Sequence, residues 1–197
     1  MGCLTSFRRR LAGVAAVVCA AALAPAAALA ATSGSGHAAT GVPGCAASRL
    51  AVWLNVPPDS AHANGAFYYL EFTNLSGHAC TLRGYPGVSA VSIAGHQLGS
   101  AAGRGPGATT TVTLADGATA RSKLGIVNTF VFGSACFVKK PAPGHQGILP
   151  TAAGLRVYPP DQTAAKLVPY PLRACAHTGP VYIGVGPVTL TRVAPGL

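Results

Sequence analysis

The stretch Ser76-Gly77-His78-Ala79-Cys80-Thr81-Leu82-Arg83 sets a histidine two residues before a cysteine. A thiolate activated by a nearby imidazole is a competent nucleophile for acyl transfer, so Cys80 with His78 is the arrangement that most suggests an enzyme. The cysteine count argues the other way. Of six cysteines, Cys3 and Cys19 fall within the first thirty residues, leaving Cys45, Cys80, Cys136 and Cys175. An even set without any C-x-x-C spacing reads as disulfides, not as a zinc ribbon or a redox pair. Three connectivities are open. The preferred one is sequential, Cys45–Cys80 and Cys136–Cys175, each closing about 35–40 residues for on the order of 4 kcal/mol.

Other chemistry lacks raw material. The chain holds 4 Asp or Glu against 14 Lys or Arg. Asp59, Glu71, Asp116 and Asp161 lie far apart in the sequence, with no sign of the paired carboxylates a glycoside hydrolase needs. The histidines at 37, 62, 78, 96, 145 and 177 form no H-x-H, H-x-x-H or H-x-x-x-H pair, so neither a metal nor a cofactor is expected. Met1 is the sole methionine, which excludes a methionine-based copper site from the chain that follows it. No G-x-S-x-G elbow is present. Gly103-Arg104-Gly105-Pro106-Gly107 fails as a phosphate cradle, because Pro106 lacks the N–H such a loop uses and a strand follows it; a mobile surface loop is the expectation. Asn74-Leu75-Ser76 fits the glycan-acceptor pattern.

The elements that must position these residues are strands. Only 9% of residues are charged while 50% are hydrophobic, and there are 25 Gly and 16 Pro. Long solvated helices would need more Glu and Lys than this. Leu50, Val52, Leu54 and Val56 alternate at period two with Trp53 opposite. From Ala66 to Asn74, Tyr68, Leu70 and Phe72 share one face and Tyr69, Glu71 and Thr73 the other, the strongest strand signal in the chain. Pro86-Gly87 predicts a type II turn leading to a strand over 88–93. Asp116-Gly117 predicts a hairpin joining 109–114 to 118–127. Shorter strands are expected at 155–158, 166–168 and 181–191, the last bulged at Gly184 and Gly186. Seven or eight short strands with no sustained helical period indicate an all-β fold, a single antiparallel immunoglobulin-like β-sandwich over residues 45–193.

Two segments precede that domain. Arg8-Arg9-Arg10, an apolar run from Leu11 to Leu23 and Ala28-Leu29-Ala30 have the layout of a signal peptide over 1–30. The run is shorter than the roughly 20 residues a membrane span needs, so no transmembrane segment is expected after cleavage. Cys19 follows Val17-Val18 and lies inside the apolar run, so it does not read as a lipidation site, and the arginines leave Sec and twin-arginine export both open. Residues 31–44 are small and polar, a flexible linker.

The run Tyr68 to Ser89, YYLEFTNLSGHACTLRGYPGVS, resembles the signature of a family of secreted actinobacterial proteins, the domain-of-unknown-function family numbered 4232. Further similarity lies in VTLADGATA at 112–120, Cys136, VYPP at 157–160, Cys175 and GPV at 186–188, with Asp116 standing where the family commonly has proline. The resemblance implies an exported, disulfide-bonded β-sandwich and carries over no catalytic residue. The Ser76 to Arg83 stretch also resembles, superficially, the motif of cell-wall L,D-transpeptidases, but without the glycines that flank its His and Cys.

Removing residues 1–30, which hold three arginines, lowers the net charge from +10 to +7. Apart from Lys139-Lys140 the basic residues are scattered. A cationic exported domain is drawn to polyanions, so the expected role is a non-enzymatic binding or structural module, secreted or cell-wall associated. Its expected partner is an anionic cell-wall polymer or an envelope protein. Export and the absence of an Arg/aromatic motif disfavour nucleic acid. The candidate contact residues are Tyr68, Tyr69, Arg104, Lys139 and Lys140. The alternative is a cell-wall-modifying enzyme using Cys80 and His78.

Overall fold

Alternation sets the longest strand. In the computed structural model, which describes residues 41–190, Gly65–Asn74 is a ten-residue strand whose Tyr68, Leu70 and Phe72 are buried. Thirteen strands lie among the described residues: β1 (Leu50–Asn55), β2 (Ala61–His62), β3 (Gly65–Asn74), β4 (Cys80–Arg83), β5 (Gly87–Val91), β6 (Gln97–Leu98), β7 (Gly103–Arg104), β8 (Thr111–Leu114), β9 (Thr119–Val127), β10 (Thr151–Tyr158), β11 (Lys166–Arg173), β12 (Ile183–Val185) and β13 (Thr189–Leu190). Two 3-10 helices, η1 (Ala47–Arg49) and η2 (Thr129–Ala135), complete the set. The signal-peptide reading over 1–30, most of the linker and residues 191–193 lie outside the described residues.

The strands form three sheets. A seven-stranded sheet runs β1-β3-β9-β12-β7, with β2 added to β3 and β13 to β9; a four-stranded sheet runs β11-β10-β5-β6; β4 and β8 make a ribbon. One hydrophobic cluster draws on all three, with Phe72 and Leu124 from the large sheet, Val88 and Leu155 from the smaller one, and Leu82 and Leu114 from the ribbon. The all-antiparallel expectation needs correcting, because β12 and β7 pair in parallel. The fold is therefore β-rich with several sheets, and strand order is not sequential.

Three local expectations fail for identifiable reasons. Asp116-Gly117 does not make a hairpin of β8 and β9, since β8 pairs with β4 and β9 with β3. Ala118 N–H bonds Ala115 O at 3.1 Å, and of the two central residues only Gly117 has positive φ, at 75°. That is a type II geometry, which splays the flanking strands, whereas type I′ would have needed positive φ at both positions. The turn before β5 also differs: Gly84, not Gly87, adopts positive φ, at 99°, and Gly87 is already a strand residue packed against Tyr158. Nor is the linker wholly free of the fold, because Thr81 N–H bonds Pro43 O at 2.8 Å, beside the Cys45 N–H bond to Thr81 O at 2.9 Å.

Asn74, at the end of β3, organises this corner. It is fully buried, and its Nδ2 donates to the carbonyls of His78, Leu114 and Ala115 at 2.8, 3.1 and 3.1 Å. Its Oδ1 accepts from Ser76 N–H at 3.0 Å. A glycan acceptor must be exposed, so the Asn74-Leu75-Ser76 triplet has a structural role instead.

The disulfides are Cys45–Cys80 and Cys136–Cys175, the sequential arrangement of the three that were open. Among the described residues, no helix is long and apolar enough to cross a membrane.

Candidate functional site

Strand register builds a surface on the outer face of the seven-stranded sheet. Opposite residues of an antiparallel pair share a face. The pairing of Phe67 with Gly125, Tyr69 with Lys123 and Glu71 with Arg121 therefore places aromatic rings beside cations, facing away from the core. The contacts are diagonal. The Arg121 guanidinium lies 4.6 Å from the Tyr69 ring centroid and the Lys123 ammonium 4.8 Å from that of Phe67. The two rings are edge to face at 6.3 Å. Such packing holds long cationic side chains against the sheet and lowers the entropy lost when they engage an anion. Glu71 sits on the same face but is only 4% exposed, and Asn55 Nδ2 donates to its carboxylate at 3.5 Å.

Beyond the cations the side chains vanish. Gly125 on β9, Gly184 on β12 and Gly186 after it form the floor of a trough of about 620 Å³. A Cβ on Gly125 would meet nothing within 4 Å, so a larger side chain at this position would project into the hollow. Tyr69, Arg121 and Lys123 make one wall, and Pro106, Ala108 and Pro187 the other. No carboxylate lines it. A second hollow of about 280 Å³ shares Lys123, Gly125 and Gly184 and continues towards His62, so the depression is elongated.

The far wall corrects the expectation of a mobile Gly-rich loop. Gly103 and Arg104 form β7 on the edge of β12, and Gly105 N–H bonds Val185 O at 2.7 Å. Tyr85 donates its hydroxyl to Gly107 O at 2.9 Å, while Arg104 lies 5.6 Å from the Tyr85 ring centroid. Gly107 is required where it stands: its φ is 148°, and a Cβ would fall 2.8 Å from the Pro187 ring.

The five expected contact residues therefore part company. Tyr69 lines the trough, and Arg104 flanks its far wall. Tyr68 must be withdrawn from the surface: it is 8% exposed, points inward as its strand parity requires, and accepts a 2.7 Å hydrogen bond from the Tyr170 hydroxyl of the smaller sheet. Burial pushes its phenol up to about 12. Lys139 and Lys140 are exposed but lie after η2, away from the trough. Arg121, Lys123, Phe67 and Gly125 were not singled out from the sequence. The available signal was Arg-x-Lys on one strand and Phe-x-Tyr on another, and only pairing register shows that they face each other.

The Cys80/His78 pair has a different geometry from a nucleophile and its base. Cys80 is bonded to Cys45 and buried. The His78 ring is exposed, with Nδ1 3.0 Å from Ser76 O. Among the described residues no group of three or more His, Cys, Asp or Glu is placed to hold a metal ion.

Residues 45–194 match a family model whose description is "Domain of unknown function (DUF4232)". No curated protein and no solved structure matches the chain.

Proposed function

The chain belongs to the DUF4232 family of domains of unknown function, and we propose that it is an exported, non-enzymatic module that binds an anionic cell-wall polymer through this trough. One observation carries the reading: Arg121 and Lys123, held on aromatic rings, rim an elongated glycine-floored hollow with no carboxylate in its lining. Strand geometry spaces alternate residues by roughly 7 Å, which suits repeated anionic groups along a chain. An open trough admits a linear polymer lengthwise. Two disulfides fit life beyond the inner membrane, with residues 1–30 as the export signal. The shared core of the two larger sheets supports an immunoglobulin-like sandwich as the scaffold. The alternative enzyme requires Cys80 released from Cys45, and a Cys80 that is alkylated without reductant in the exported protein would favour it.

Co-sedimentation with isolated cell walls tests the proposal. Retention falls steeply with salt, because exposed charge pairs are screened within about 8–10 Å at physiological ionic strength. Gly125→Leu fills the floor and abolishes retention while thermal unfolding stays near wild type, since its new side chain enters open space. R121A/K123A weakens retention at low salt. Absence of wall retention, or wild-type retention by Gly125→Leu, refutes the trough. Retention that survives removal of wall polymers but not protease treatment of the walls identifies an envelope protein instead.

A further inference from the structure

A second surface lies where Lys139 and Lys140 were left over. Phe130, Val131, Val138 and Ile148 are 45 to 62% exposed, an unusual density of large apolar side chains for a solvated loop. They are contiguous. The Phe130 and Phe137 rings meet edge to face at 6.4 Å, the Gly147 backbone packs on the Phe137 ring, and Val138 N–H bonds Ile148 O at 2.8 Å. Lys139 and Lys140 follow Val138 directly, and a hollow of about 480 Å³ gathers both lysines with His145 and Ile148.

This cap is fastened at its base. Asn128 Oδ1 accepts from Phe130 N–H at 3.1 Å, starting η2, and Asn128 N–H bonds Asn64 O at 2.9 Å. At the other end Cys136 is tied to Cys175, and Ala176 N–H bonds Cys136 O at 2.9 Å. The apolar residues are therefore presented on a fixed platform. From Asp116 to Asp161 the chain contains no intervening acidic residue, so the segment that carries the two lysines has no carboxylate of its own to offset them.

We propose that this cap is a membrane-surface site that inserts Phe130, Val131, Val138 and Ile148 shallowly into an anionic lipid bilayer, with Lys139 and Lys140 at the headgroups. Exposed apolar side chains beside lysines match the acyl boundary and the phosphate layer respectively, whereas a hydrophilic polymer gives the apolar residues nothing to leave water for. The site is independent of the trough, and lipid binding does not require polymer binding.

Flotation of the full domain with vesicles decides it. Wild type floats with vesicles containing phosphatidylglycerol and much less with pure phosphatidylcholine. K139A/K140A lowers partitioning roughly 30-fold at low salt, from about 1 kcal/mol per lysine, and high salt removes most of the difference. F130S/I148S lowers it at least about tenfold at any salt, from lost apolar burial. K139A/K140A keeps wild-type thermal unfolding because both lysines are exposed, and F130S/I148S, which gives up the Phe130–Phe137 contact, lowers it only modestly. Wild type remaining unfloated, both variants floating like wild type, or equal salt-insensitive flotation with neutral vesicles overturns the proposal. So does a loss of cell-wall retention by both variants with flotation unchanged, which would assign the cap to the polymer.

Discussion

Replacing Asn74 by alanine removes the polar clip that joins the end of β3 to the 76–80 loop and to the turn after β8. The amide nitrogen has two hydrogens and three carbonyl partners, so it supplies two hydrogen bonds, one of them shared; the amide oxygen supplies a third from Ser76 N–H. At about 1 kcal/mol net for each, N74A costs about 3 kcal/mol. For a domain of this size that corresponds to a fall in Tm of roughly 6–12 °C. Asn74→Asp sharpens the test. It keeps the acceptor but sets a carboxylate against three carbonyls in a buried site, which raises the folded-state pKa above the usual ~3.9. A group whose folded pKa is raised favours the fold while protonated. N74D is therefore least destabilised below its unfolded pKa and loses stability as pH rises through its folded value. Differential scanning calorimetry of wild type, N74A and N74D between acid and neutral pH measures all of this. A fall below about 2 °C for N74A, or a pH-independent N74D, refutes the reasoning.

Two further perturbations test the interior. Tyr68 and Tyr182 are both raised to about 12, chiefly by burial, so their contribution to stability is complete below the ordinary value of about 10 and is lost as pH climbs to about 12. Phenolate absorbance on alkaline titration shows two of the six tyrosines ionising late and together with unfolding; all six ionising near pH 10 with the fold intact contradicts the buried Tyr68–Tyr170 contact. The disulfides close loops spanning 35 and 39 residues, each worth about 4 kcal/mol in the chain-entropy model. C45S/C80S and C136S/C175S should each lower the unfolding temperature markedly, and peptide mapping after alkylation without reductant should find all four cysteines unmodified.

Strand positions were legible because alternation is a local property: Tyr68, Leu70 and Phe72 face one way whatever lies beside them. The partners were not. Asp116-Gly117 has the residues of a hairpin turn, yet its flanking strands belong to different sheets, because β9 finds nine opposite positions on β3 and Asn74 carries the turn away. Tyr69 stands on the outer face and lines the trough, whereas its neighbour Tyr68 faces the core, as strand parity requires.

The chain's composition and order determined that it builds short strands with little helix, that four cysteines are available for two bridges, and that it carries only four Asp or Glu. Tertiary structure alone decided which strands meet. The trough arises because β3, β9 and β12, distant in sequence, lie side by side so that the bare faces of Gly125 and Gly184 adjoin two cations stacked on rings. The cap arises because a disulfide and an asparagine hold apolar residues out in solvent. Both depend on long-range pairing, whose energetics are summed over the whole fold, and no local pattern of residues encodes that sum.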